Sequence, residues 1–103
     1  MKDLPPDVAK GLRDLFVSDT PLRLRAMLAA LQENDVPALG SAAHALKGSA
    51  LVMGLDRLAA LCEGLERDCR RGAPSNALEL VESVRREFEE VRTQWSRGME
   101  TRS

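Results

Sequence analysis

Residues 35–54 read DVPALGSAAHALKGSALVMG, and the fold class turns on the periodicity of that stretch. Val36, Leu39, Ala43, Leu46, Ala50 and Met53 recur at alternating spacings of three and four, which marks one buried face of a helix and not a strand. Asp35 suits a helix cap, Pro37 suits a first turn, and Gly54 ends the pattern. Advancing about 100° per residue places His44, the chain's single histidine, roughly 130° from the centre of the buried face. His44 is therefore expected in water.

Working outward, Leu55, Leu58, Leu61, Cys62, Leu65 and Cys69 share one face of a further helix that ends at Arg70-Arg71-Gly72. Cations and a glycine are favoured at such an end. Pro74, Ser75 and Asn76 open a last helix striped by Ala77, Val81, Val84, Phe88, Val91 and Trp95. Upstream, Pro5, Pro6 and Asp7 start a segment striped by Val8, Leu12, Leu15 and Phe16, continued in phase by Leu24, Leu28 and Leu31. Between these halves lies Ser18-Asp19-Thr20-Pro21. Pro21 either kinks one long helix or opens a second one capped by Thr20, and the pattern leaves both open. Four long amphipathic segments with short connections predict an all-α fold, an antiparallel four-helix bundle with an additional short or kinked N-terminal helix. Residues 1–103 are read as a single domain whose ends, 1–5 and 98–103, are expected to fray.

Composition narrows the function classes. With 15 basic and 16 acidic residues the net charge is -1, without the basic excess of a nucleic-acid binder. No apolar run approaches the roughly 20 residues that span a bilayer, and no basic-then-apolar leader opens the chain. A cytoplasmic protein without nucleic-acid or membrane partners, acting as a monomer, is expected. Cys62 and Cys69 lie two helical turns apart on one face, roughly 10 Å along the axis, too far for a disulfide within a straight helix. They read as small buried side chains, and Met27 and Met53 as core fillers. Trp95 is expected at an end of the bundle. Arg70-Arg71 and Arg85-Arg86 read as a helix end and solvated faces, with guidance of an acidic partner as the alternative.

The face around His44 is unusual. Gly40, Lys47, Gly48 and Leu51 surround it at helical spacings, and each mid-helix glycine costs roughly 1 kcal/mol relative to alanine. Close approach by another molecule would offset that cost. An imidazole is a competent nucleophile near neutral pH and can accept and release a phosphoryl group. Lys47, one turn on, would blunt the charge of the phosphoryl oxygens, Gly48 would admit a partner's active site, and Gly40, Ser41 and Leu51 would offer docking surface. Ser49 points to the flank of the core stripe and is expected either to pack between helices or to bond the helix backbone. With no second histidine, and no carboxylate three or four residues away, a metal site at His44 is not expected.

The run Ala43-His44-Ala45-Leu46-Lys47-Gly48-Ser49, followed by Gly54, Leu58, Leu61, Cys62, Leu65 and Glu66, closely resembles the histidine phosphotransfer (HPt) domains of bacterial multistep phosphorelays. The resemblance covers roughly residues 8 to 70 and includes Leu12, Phe16, Pro21, Leu24, Leu31, Asp35 and Leu39 upstream. It implies a four-helix bundle whose histidine takes a phosphoryl group from a receiver-domain aspartate or a sensor kinase and passes it to another receiver aspartate. It implies His44 as carrier, Lys47 as assisting cation and Gly48 as access residue. It also implies no bound cofactor, no autokinase activity, and magnesium held in the partner receiver. No Gly-rich phosphate loop is present to hold ATP. The alternative is an adaptor or inhibitor that docks a receiver or kinase through the same face without transfer. Retention of His44, Lys47 and Gly48 together favours the carrier. Whether the chain stands alone or belongs to a larger kinase stays open, although Met1 and short polar ends suit a complete small protein.

Overall fold

The computed structural model describes residues 4–72 and 74–101, with side chains as far as residue 97. Four helices follow in order, α1 Pro6–Gln32, α2 Val36–Val52, α3 Asp56–Arg70 and α4 Ala77–Thr101, and the described residues contain no strand. The alternatives at Pro21 resolve as one helix, because α1 runs unbroken through it. Thr20 is no cap: it is 1% exposed and sits in the core with Phe16, Leu24, Met27 and Ala30. Burial along that face holds the helix across a residue that removes a backbone donor. No separate short helix precedes α1 among the described residues.

The buried seam of α1 differs from the leucine pattern. Val8, Leu15 and Leu28, all expected in the stripe, are 44%, 62% and 38% exposed. The expectation followed the largest apolar side chains. The seam instead uses the small residues Thr20 and Ala30, which let α1 lie close against its neighbours.

The connections set the topology. Asn34 (φ 55°) and Gly54 (φ 72°) take the left-handed conformation just past α1 and α2. The following amides bond back into the last turn, Asp35 N–H to the Ala30 carbonyl at 2.8 Å and Leu55 N–H to the Ala50 carbonyl at 2.8 Å. Asp35 Oδ1 then caps α2 by accepting the Ala38 N–H at 3.1 Å. Reversals this tight make successive helices antiparallel. α2 packs between α1 and α3, and α4 closes the bundle against α3 and α1.

The other three stripes reach the core as expected, through Leu39, Ala43, Leu46 and Ala50, then Leu58, Cys62, Leu65 and Cys69, then Val81, Val84, Phe88 and Val91. Met27 is fully buried and Met53 packs at the edge of the cluster. The Phe16 ring lies 5.9 Å from both Phe88 and Trp95, in tilted and edge-on contacts. Cys62 and Cys69 are buried free thiols. Burial pushes the Cys62 thiol up to about 12 and Cys69 in the same direction, which keeps both protonated at neutral pH. No described helix is long and apolar enough to cross a membrane. The ends expected to fray include residues 1–3, 102 and 103, which lie outside the described residues.

Candidate functional site

His44 stands in the middle of α2 on its outer side, with 67% of its side chain exposed. What steadies the ring comes from the neighbouring helix. Glu66 of α3 is only 12% exposed, and its Oε2 lies 2.7 Å from His44 Nδ1. The same carboxylate takes Lys47 Nζ at 2.8 Å on Oε1, an ion pair off the line of a well-formed hydrogen bond. Arg70 Nη1 reaches Oε2 at 3.3 Å from the next turn of α3. One half-buried carboxylate thus gathers three nitrogens.

The Lys47 ammonium first, then the His44 ring, hold the Glu66 carboxyl below the usual carboxylate range against the opposing effect of burial. Glu66 is therefore ionised at neutral pH and can only accept hydrogen bonds. That decides the tautomer: Nδ1 carries the proton and donates it to Glu66. In the neutral ring Nε2 keeps its lone pair, on a side chain open to solvent.

Each residue singled out from the sequence has a definite place. Lys47 is half-buried and tied to Glu66, with 22% of its side chain exposed, so its charge is engaged at rest. Gly48 is exposed, and a Cβ there would meet nothing within 4 Å. Gly40 has a reason inside the molecule: a Cβ would stand 3.2 Å from the Cβ of Cys69, so the missing side chain lets α3 approach α2. Gly40 also lines, with Ser41, His44, Glu66, Cys69 and Arg70, an open cleft of about 520 Å³ beside the ring. Ser41 is exposed, and Leu51 is 57% exposed. Ser49 Oγ donates to the Ala45 carbonyl at 3.3 Å, the backbone bond expected of it. No group of three His, Cys, Asp or Glu that could hold a metal occurs among the described residues.

Two features escaped the sequence reading. The sequence offers Glu66 only as part of a motif, and Arg70 as a helix end or a guide for an acidic partner, with neither tied to His44. Yet α2 and α3 form a hairpin about Gly54, and Glu66 lies about as far beyond it as His44 lies before it. Antiparallel packing then puts the two at one level, which is the signal available. The second is a set of outward-facing apolar side chains on α1 and α2, Leu15 (62% exposed), Leu22 (56%) and Val52 (64%). Leu12, Leu15, Ser49 and Val52 line the groove between α1 and α2.

Comparison with known proteins agrees with this geometry. Residues 11–94 match the Hpt domain family. The structure matches the crystal structure of histidine-containing phosphotransfer protein B (HptB) from Pseudomonas aeruginosa PAO1 with a TM-score of 0.82 and 41% sequence identity, over 87% of this chain and 78% of that one. No match is found among curated proteins. A family match over most of the chain, and a close structural counterpart with the same four-helix architecture, identify the molecule: it belongs to the Hpt domain family and is a histidine phosphotransfer protein of a phosphorelay.

Proposed function

We propose that His44 is the phosphoryl carrier and that the bond forms at Nε2. The observation that carries this reading is the 2.7 Å contact of Nδ1 with an ionised Glu66 on a ring that is 67% exposed. Nδ1 is engaged, Nε2 is free, and the imidazole is aimed outward. Attack by Nε2 makes the ring cationic, and the carboxylate against Nδ1 offsets that charge. Lys47 supplies positive charge one turn away, and Gly48 leaves the approach to the ring clear.

Hpt proteins work with receiver domains and kinases. The partner here is a response-regulator receiver or a hybrid sensor kinase that docks over Gly40, Ser41, Gly48 and Leu51. The exposed apolar residues of α1 extend that surface. The chain acts as a cytoplasmic monomer without autokinase activity, and the magnesium for transfer belongs to the receiver. Incubation with a phosphorylated receiver tests the assignment. The expected result is an acid-labile, base-stable phosphoryl label that disappears in His44→Gln; equal labelling of the variant rules His44 out.

A further inference from the structure

The groove between α1 and α2 is apolar on both walls, with Leu12 and Leu15 on α1 and Val52 and Met53 on α2. Its volume is about 160 Å³, comparable to an apolar cavity that admits a single aromatic ring. Leu15 and Val52 are exposed, so the groove is open to a side chain arriving from outside. Ser49 also lines it but turns its hydroxyl to the Ala45 carbonyl. Asp19 is then the one charge lining the groove among the described residues.

Asp19 is incompletely partnered. Its Oδ2 takes Arg23 Nη2 at 3.2 Å, with 44% of the aspartate and 35% of the arginine side chain exposed. Arg23 Nε is buried without a partner, so the guanidinium does not grip the carboxylate with the fork of Nε and Nη2. A partly exposed pair one turn apart on a helix contributes little to the fold. Its weakness matters once water leaves. A partner that covers the groove desolvates Asp19, and one long contact does not replace the lost hydration. A partner that brings a further cation there is favoured, and one that brings an apolar group or a carboxylate is disfavoured.

The groove also lies within reach of a protein centred on His44. Val52 follows His44 by eight residues on α2, roughly 12 Å along the axis and about 80° around it, and both side chains are exposed. An interface that buries about 800 Å² per partner extends roughly 16 Å from its centre.

We propose that the α1–α2 groove selects the receiver: it seats one apolar side chain of the receiver surface, and Asp19 binds a lysine or arginine set beside that side chain. This rests on the receiver partnership proposed above and adds the chemistry by which one receiver is told from another. Asp19 touches no reacting atom, so its effect falls on binding and not on the transfer step.

The receivers encoded by the same genome are screened for the one that labels the protein fastest. That receiver is titrated by calorimetry against wild type, Asp19→Asn, Asp19→Glu and Asp19→Lys, with KM and kcat of transfer measured alongside. Asp19→Asn should weaken binding by roughly tenfold, raise KM in step while kcat changes little, and flatten the salt dependence of binding. Asp19→Glu should recover most of the affinity. Asp19→Lys should bind more weakly still, and reversal of one lysine or arginine of the receiver to aspartate should restore it. Asp19→Asn should melt like the wild type; a large drop makes the residue structural and overturns the proposal. Unchanged affinity and salt dependence in Asp19→Asn, or no receiver reversal that restores Asp19→Lys, overturns it as well. Wild-type dimers that dissociate in Asp19→Asn would give the groove to a second copy of this chain, against the proposal. A wild type that no receiver labels overturns the carrier reading itself, and the selection with it.

Discussion

At the scale of single residues the molecule turns on one carboxylate. Glu66 decides which ring nitrogen of His44 is free, and a neutral amide at that position would not bind the Nδ1 proton as strongly. Glu66→Gln should therefore raise the share of the Nε2–H tautomer, read from ¹⁵N shifts of the imidazole. Transfer should slow by roughly tenfold, well short of the ~10⁴ that a wrong-tautomer histidine costs in a buried triad, because this ring is solvated and can turn. Normal rates with an altered tautomer would detach Glu66 from the chemistry. The pH dependence has a definite sign. The folded-state pKa of Glu66 is depressed, chiefly by Lys47, so its contribution to stability is present above the unfolded value and is lost as pH falls through the folded one. Wild type and Glu66→Gln should thus converge in stability only below the ordinary glutamate value of about 4.3, as followed by acid titration of the far-UV signal. His44 and Lys47 were legible in the sequence because they share a helix. Glu66 and Arg70 were not, since no local spacing ties them to His44.

At the scale of elements, the glycines of α2 separate by what lies over them. Gly48 faces open space, so Gly48→Ala should stabilise the fold by about 0.5–1 kcal/mol through helix propensity alone, measured by urea unfolding. The larger Gly48→Gln should keep helicity and slow transfer by obstructing the partner; an unchanged rate would show that nothing packs there. Gly40 faces Cys69 at 3.2 Å, so Gly40→Val should behave oppositely and destabilise by about 1–3 kcal/mol, because α3 cannot yield without losing its contacts. The sequence exposes both glycines as anomalies of one helix face. It does not tell them apart, because only the packing of α3 reveals that one gap is filled from within.

At the scale of the whole molecule, exposed apolar side chains stand on two helices, Leu51 and Val52 on α2 and Leu15 and Leu22 on α1, and Leu15 and Val52 line one groove. Leu15→Asp should weaken binding to the cognate receiver by roughly tenfold or more while moving the melting temperature little, since the side chain is 62% exposed. A large loss of stability would return Leu15 to the core, where the leucine pattern first put it. The sequence by itself determined the helical class, the ends of α2, the core stripes of α2, α3 and α4, and the exposure of His44. Each of these follows from the 3.6-residue period and from capping chemistry acting within a few residues. The tertiary structure decided the rest. Burial of Thr20 carried α1 through Pro21, and Leu15 was turned outward. The α2–α3 hairpin brought Glu66 and Arg70 to His44. These outcomes depend on which faces meet across the bundle, and contacts between residues far apart in the chain leave no period in the sequence from which to read them.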